Sequence, residues 1–234
     1  MGTVLVKYKA ILFDLDDTLL DSISARVKTL ERVFASVDIT HLEAERFLRD
    51  LQGTPLETAL IKLAADLNIN TDLFEEYRRI YWSKEKGLLR LYPGVAEVLE
   101  NLRRLEFKLG IVTTKTMNFE FGGNIVGGAA GELEEVGVAD LFSVLVGFEH
   151  VALRKPHPEG INLALNRLEI APPEALMVGD SASDIKAAQA AGCPGCYATW
   201  GLPSGERNNL LTIVSPDFII DSPHDLLKVL DARG

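Results

Sequence analysis

Asp14 and Asp16 stand two residues apart in Asp14-Leu15-Asp16-Asp17-Thr18, directly after an apolar run. In extended chain such positions point the same way, so both carboxylates can flank one small reacting group. Carboxylates that close repel, and one of them resists ionisation unless a cation intervenes. Mg²⁺ on Asp14 would keep that group ionised as nucleophile and ligand. Asp16 could then hold a proton for a leaving group. The plainer reading of the string is an acidic turn with Thr18 capping a helix.

A second acidic string is Gly179-Asp180-Ser181-Ala182-Ser183-Asp184. Mg²⁺ takes hard oxygen ligands and keeps several waters, so Asp14, Asp180 and a backbone carbonyl suffice to hold it. Asp184 also suits a helix N-terminus, where an acid complements the dipole. Thr113-Thr114-Lys115 can offer hydroxyl and backbone N–H groups to a phosphate. Lys155, between Arg154 and Pro156, can neutralise phosphate oxygens in a transition state. A lone lysine is otherwise a solvated charge.

These residues need elements to place them. The run before Asp14 is apolar and β-branched, which predicts a buried strand. Residues 20–88 carry apolar positions at helical spacing in four segments and predict an all-helical insert. Within it Thr54-Pro55-Leu56-Glu57 reads as a capping box with Pro at the first helical position. From residue 89 onward strands and helices alternate, with strands near 107–113, 143–148, 175–179, 195–199 and 217–220. Alternation of this kind implies a mostly parallel sheet covered by helices on both faces. Asp14, Thr113 and Asp180 then fall at carboxyl ends of strands, where open parallel sheets bind ligands. The run 121–131 holds Gly122, Gly123, Gly127, Gly128 and Gly131. It argues against a stable helix and for a flexible surface loop, with a phosphate-cradling loop as the alternative.

Composition narrows the partners. The 234 residues are 47% hydrophobic and 25% charged, as in soluble globular proteins. A formal net charge of -10 disfavours nucleic acid as a partner. A small phosphorylated substrate remains compatible, because a local metal and lysine override the mean field. No segment is apolar and long enough to span a bilayer, so no membrane partner is expected. Neither a signal-peptide pattern nor a disulfide framework is present, and the expected location is cytoplasmic. Cys193-Pro194-Gly195-Cys196 leaves a helix stop and enters a strand, which favours a structural over a redox role.

Taken together the strings resemble the haloacid dehalogenase-like (HAD) hydrolase superfamily, its phosphoglycolate phosphatase-like branch most of all. The motifs are Phe13-Asp14-Leu15-Asp16-Asp17-Thr18, Ile111-Val112-Thr113-Thr114, Lys155-Pro156-His157-Pro158 and Val178-Gly179-Asp180-Ser181-Ala182-Ser183-Asp184, in the family's order. The resemblance implies an α/β fold: a Rossmann-like parallel core of residues 1–19 and 89–234, with a helical cap domain of 20–88 inserted after the first strand. It implies a Mg²⁺-dependent phosphatase acting on a small phosphate monoester through an aspartyl phosphate. Asp14 would be nucleophile and metal ligand. Asp16 would be general acid, then base, and would offer its carbonyl to the metal. Thr113 would hold a phosphate oxygen, Lys155 would bridge phosphate and nucleophile, and Asp180 and Asp184 would serve the metal. Thr114, Lys115, Arg49 and Gly53 are the expected substrate-binding residues, the last two in a cap turn. Asp17 stands where many members carry Gly, and Thr114 where this branch often carries Asn. A hexose phosphomutase and a catalytically silent binding protein on the same fold are the alternatives. Monomer and homodimer both remain open.

Overall fold

The computed structural model describes residues 8–51, 54–83, 89–121, 123–201 and 211–231. They fall into two compact units. One comprises Met1–Asp21, Arg90–Asn118 and Gly128–Gly234, and the other Ser22–Leu89 with Phe119–Gly127.

The first unit is built on a six-stranded sheet. In chain order its strands are β1 (Ala10–Phe13), β4 (Lys108–Val112), β7 (Val144–Val146), β8 (Ala175–Gly179), β9 (Gly195–Ala198) and β10 (Phe218–Ile220). They lie in the order β10-β9-β8-β1-β4-β7, and every pairing is parallel. All residues of β1 and β8 are buried. This is why both read as unbroken apolar runs rather than alternating ones. Phe13 pairs with Ile111 on one side and Val178 on the other. The carboxyl ends of β1, β4 and β8 therefore lie level.

Helices flank this sheet: α5 (Val95–Arg104), α6 (Ala129–Glu135), α7 (Glu159–Leu168), α8 (Ala182–Ala191) and α9 (Asp225–Asp231). Val95, Val98, Leu99 and Leu102 make the buried stripe of α5, the i, i+3, i+4, i+7 spacing of one helix face. Ile161, Ala164, Leu165 and Leu168 of α7 join Val112, Val144, Val146 and Met177 in one core cluster. A two-stranded antiparallel ribbon, β2 (Leu20–Asp21) with β3 (Arg90–Leu91), closes this unit where the chain leaves and returns. Cys193 and Cys196 are free and buried. Burial lifts the Cys193 thiol to about 12, so it remains an apolar filler.

The second unit holds α1 (Ile23–Ser36), α2 (Ala44–Arg49), α3 (Leu56–Asp66), α4 (Leu73–Tyr81) and a hairpin of β5 (Phe119–Phe121) and β6 (Asn124–Gly127). Leu30, Val33, Phe34, Leu60, Leu73, Ile80 and Tyr81 are among its buried residues. Asp72 caps α4 by accepting from the Phe74 and Glu75 N–H groups at 3.0 and 2.9 Å. Trp82 and Phe119 bring the hairpin to α4, with ring centroids 6.2 Å apart. Arg78 lies over the Phe119 ring at 4.4 Å. No described helix is long and apolar enough to cross a membrane.

Two expectations are corrected. Thr54 does not cap α3. Pro55 is the N-cap, with ψ of 136°, and no side chain caps that end, because the extended Pro55 carries Thr54 away from the first turn. The glycine-rich run is not a structureless loop: it forms β5, β6 and the start of α6. Gly128 has φ of 121°, and a Cβ there would lie 2.1 Å from the Met117 carbonyl oxygen. The Ala129 and Ala130 N–H groups bond to the Thr116 and Met117 carbonyls at 2.9 and 3.1 Å. The lack of side chains thus serves close packing of α6 on the segment after β4.

Candidate active site

Asp14 continues β1 by one residue, its N–H donating to the Val178 carbonyl at 2.9 Å. Thr113 continues β4 likewise, donating to Val146 at 3.0 Å. Asp180 follows β8 directly, and Ser181 caps α8 with Asp184 completing a capping box. Three strand ends and one helix start therefore deliver polar groups to one edge of the sheet.

Lys155 occupies the centre of this edge. Its Nζ donates to Asp14 Oδ1 and Asp184 Oδ1, each at 2.6 Å, and to the Val112 carbonyl at 2.8 Å. The Lys155 side chain is 5% exposed, that of Asp14 13% and that of Asp184 1%, so this is a buried cluster and not the solvated lysine that the residue type alone suggests. Asp184 Oδ2 accepts from the Ser181 N–H at 3.0 Å. A Cβ on Gly179 would fall 2.4 Å from Asp184 Cγ, so the glycine leaves room for that carboxylate.

Asp14, Asp180 and Asp184 each offer one oxygen, and these lie within 4.8 Å of one another. Burial, with Asp184 and Asp16 adding repulsion, lifts Asp14 to about 7 against the pull of Lys155. Burial, then repulsion from Asp14, Asp184 and Asp17, also raises Asp180 well above the carboxylate range. Burial opposes the charge on Lys155, but Asp14 and Asp184 outweigh it and raise its pKa. One lysine is too little positive charge for three carboxylates. Hard oxygens crowded to this degree fit a small divalent cation such as Mg²⁺.

Asp16 points to a different lysine. Lys115 Nζ donates to Asp16 Oδ1 at 2.8 Å and to Glu132 Oε2 at 2.7 Å. Thr113 is 6% exposed, and its Oγ1 accepts from the Lys115 N–H at 3.2 Å. Thr114 is exposed. In the helical unit Arg49 is exposed on α2 and pairs with Glu45 at 3.0 Å. Gly53 lies outside the described residues.

Some groups at this edge escaped the sequence reading. Thr18 is fully buried, and its hydroxyl donates to Asp180 Oδ1 at 2.8 Å. The Trp200 indole N–H donates to the Thr18 carbonyl at 2.9 Å. Glu132, 1% exposed on α6, stood beyond a glycine run that read as loop. A buried acid on a helix has no local sequence signal, since its partner is a tertiary contact.

The sequence model of haloacid dehalogenase-like hydrolases matches residues 11–198. A phosphoglycolate phosphatase of Vibrio vulnificus (strain CMCP6) is 33% identical over 231 residues, spanning 95% of this chain and 96% of its own. A crystal structure of a Haemophilus somnus protein predicted to be a phosphoglycolate phosphatase superposes with a TM-score of 0.75 at 26% identity, covering 97% of this chain and 99% of the other. A haloacid dehalogenase-like hydrolase of Streptococcus pneumoniae gives 0.76 at 26% identity, covering 95% and 98%. With these matches over the length that carries Asp14, Thr113, Lys155 and Asp180, the chain belongs to the haloacid dehalogenase-like hydrolase family.

Proposed function

We propose that this chain is a Mg²⁺-dependent phosphatase of a small phosphate monoester of the phosphoglycolate class, acting through an aspartyl phosphate on Asp14. One observation carries the reading: a buried lysine, Lys155, 2.6 Å from an aspartate at the tip of the central strand, beside two further carboxylates. The names of the relatives support the substrate class.

The chemistry divides between the residues as follows. An Asp14 carboxylate oxygen attacks phosphorus, and the bond from phosphorus to the ester oxygen breaks. Asp16 gives that oxygen a proton, so a neutral alcohol leaves. Asp16 then takes a proton from water as the water oxygen bonds to phosphorus. The aspartyl–phosphorus bond breaks, releasing phosphate and restoring Asp14. The covalent route splits one hard displacement into two easier ones. Thr113 and Thr114 hold phosphoryl oxygens, and Lys155 neutralises them. Asp14, Asp180, Asp184 and the Asp16 carbonyl would hold Mg²⁺, whose charge stabilises the transferring phosphoryl oxygens. Substrate choice is assigned to the helical unit as a cap, with Arg49 and Gly53 as its reading residues. The site needs only soluble partners, and a cytoplasmic location fits it.

The test is phosphate release from a panel of small phosphate monoesters, phosphoglycolate included, with Mg²⁺ and with chelator, and without any bisphosphate activator. Release that requires Mg²⁺ and favours one ester is expected. No release from any ester would overturn the phosphatase and shift weight to a hexose phosphomutase or a silent binding protein.

The crowded carboxylates also give a pH signature. Asp14 titrates at about 7 folded, against 3.8 ordinarily, so between those values the folded chain holds more protons than the unfolded one. Stability of the metal-free protein is therefore expected to fall as pH rises through this window. Mg²⁺ prefers the ionised carboxylates and should narrow the difference. Urea midpoints at about pH 5.5 and about pH 8, with Mg²⁺ and with chelator, check this. A metal-free midpoint that rises with pH would contradict it.

A further inference from the structure

Two lysines at this sheet edge are built alike. Lys155 joins Asp14 to the buried Asp184, and Lys115 joins Asp16 to the buried Glu132. The first assembly contains groups to which the reaction already assigns roles. Glu132, in the second, has none.

Glu132 is 1% exposed, Lys115 15% and Asp16 23%. Burying a carboxylate is costly, and an apolar side chain of similar volume often stabilises such a site as well or better. The charge is therefore not explained by folding alone. Its carboxylate instead gives the Lys115 ammonium a second fixed acceptor, 2.7 Å away, opposite the bond of 2.8 Å to Asp16. Each such anchor restricts the flexible four-carbon side chain further.

The surroundings hold this bridge from the backbone side as well. The Lys115 carbonyl accepts from the Phe148 N–H at 2.7 Å. Glu149 accepts from the Met117 and Asn118 N–H groups at 2.9 and 3.0 Å. On the other side, Gly128 permits the close approach that sets α6 on Thr116 and Met117. The segment from Lys115 to Asn118 is thus pinned between α6 and the turn after β7.

We propose that Glu132 is a positioning residue: through Lys115 it fixes where the Asp16 carboxylate sits, and so the transfer of a proton to the departing alcohol. The inference rests on the phosphatase reading above. It also assigns Lys115 to Asp16 rather than to the substrate.

The experiment compares kcat/KM, which reports steps up to departure of the alcohol, for an alkyl phosphate and for p-nitrophenyl phosphate. The aryl leaving group departs without a proton, so it bypasses Asp16 at this stage. Glu132→Gln is expected to lower kcat/KM for the alkyl ester on the order of 10- to 100-fold, and for the aryl ester by less than about 3-fold. In a Lys115→Met background Glu132→Gln should add no further loss, because its route to Asp16 is already cut. Equal losses on both esters, wild-type values on both, or additive losses with Lys115→Met would overturn the proposal. Circular dichroism checks that each variant is folded. If Glu132→Gln is not, Lys115→Met/Glu132→Met removes both buried charges together and is read on the same two esters, with equal losses again overturning the proposal. Wild-type protein inactive on both esters would instead bring down the phosphatase reading and this one with it.

Discussion

Asp14→Asn is expected to lower phosphate release on the order of 10⁴-fold or more while leaving the fold intact, since losing a nucleophile removes the covalent route altogether. An amide oxygen does not form the acyl phosphate, yet it still accepts a hydrogen bond from Lys155. Stability should not suffer for a further reason. Burial and neighbouring acids already lift Asp14 to about 7, so removing its charge relieves repulsion with Asp184 and Asp16. The metal-free variant should unfold at the same urea concentration as wild type at low pH, and at a higher one near pH 8. Phosphate release and acid-quench trapping of the phosphoprotein test the chemical half, and urea unfolding tests the other. Release within about 100-fold of wild type would remove Asp14 from its role.

Lys155→Met should behave in the opposite way, losing stability together with activity. The ammonium is 2.6 Å from both Asp14 and Asp184, and it also donates to the Val112 carbonyl at 2.8 Å. Methionine fills the volume but satisfies none of these acceptors. Removing one partner of a buried ion pair costs about 3–5 kcal/mol, and here two carboxylates lose it. A large drop in the urea midpoint of the metal-free variant is therefore expected. Mg²⁺ should recover part of the loss by replacing the missing positive charge. A midpoint shift equivalent to less than about 1 kcal/mol would show that Lys155 is not holding this cluster together. Asp14→Asn and Lys155→Met thus separate a residue that does chemistry from one that does chemistry and also neutralises its site.

Much of this was legible in the residue order, for a definite reason. A parallel strand buried on both faces writes itself as a continuous apolar run, so β1 and β8 could be read with their tips at Asp14 and Asp180. The polar residue after such a run marks the ligand edge of the sheet. Lys155 was different. It follows no strand, and between Arg154 and Pro156 it looks like a surface charge; the four-motif resemblance pointed to it, and the buried bridge is a tertiary fact. Thr18 reads as a helix cap, and Trp200 carries no signal of its role, because their partners, Asp180 and Thr18, are distant in sequence. Glu132 was obscured by the glycines before it. Their composition lowers helix propensity, while the backbone contacts of α6 with Thr116 and Met117 override it.

The placement of β1 has a consequence for how the molecule comes into being. This first strand lies inside the sheet, with Ala10 pairing to Lys108 on one side and Ala175 on the other. Lys155 lies 141 residues beyond Asp14. During synthesis β1 leaves the ribosome long before either neighbour exists, with two unpaired edges and an apolar surface. Contacts of such sequence separation form slowly, because loop closure precedes any gain. A nascent or truncated chain that ends before β8 lacks Asp180 and Asp184 as well as one of the strands that hold Asp14 in place. Assembly of the site around the nucleophile thus waits for β8, late in synthesis, and a chain that ends before it carries exposed strand edges in place of activity.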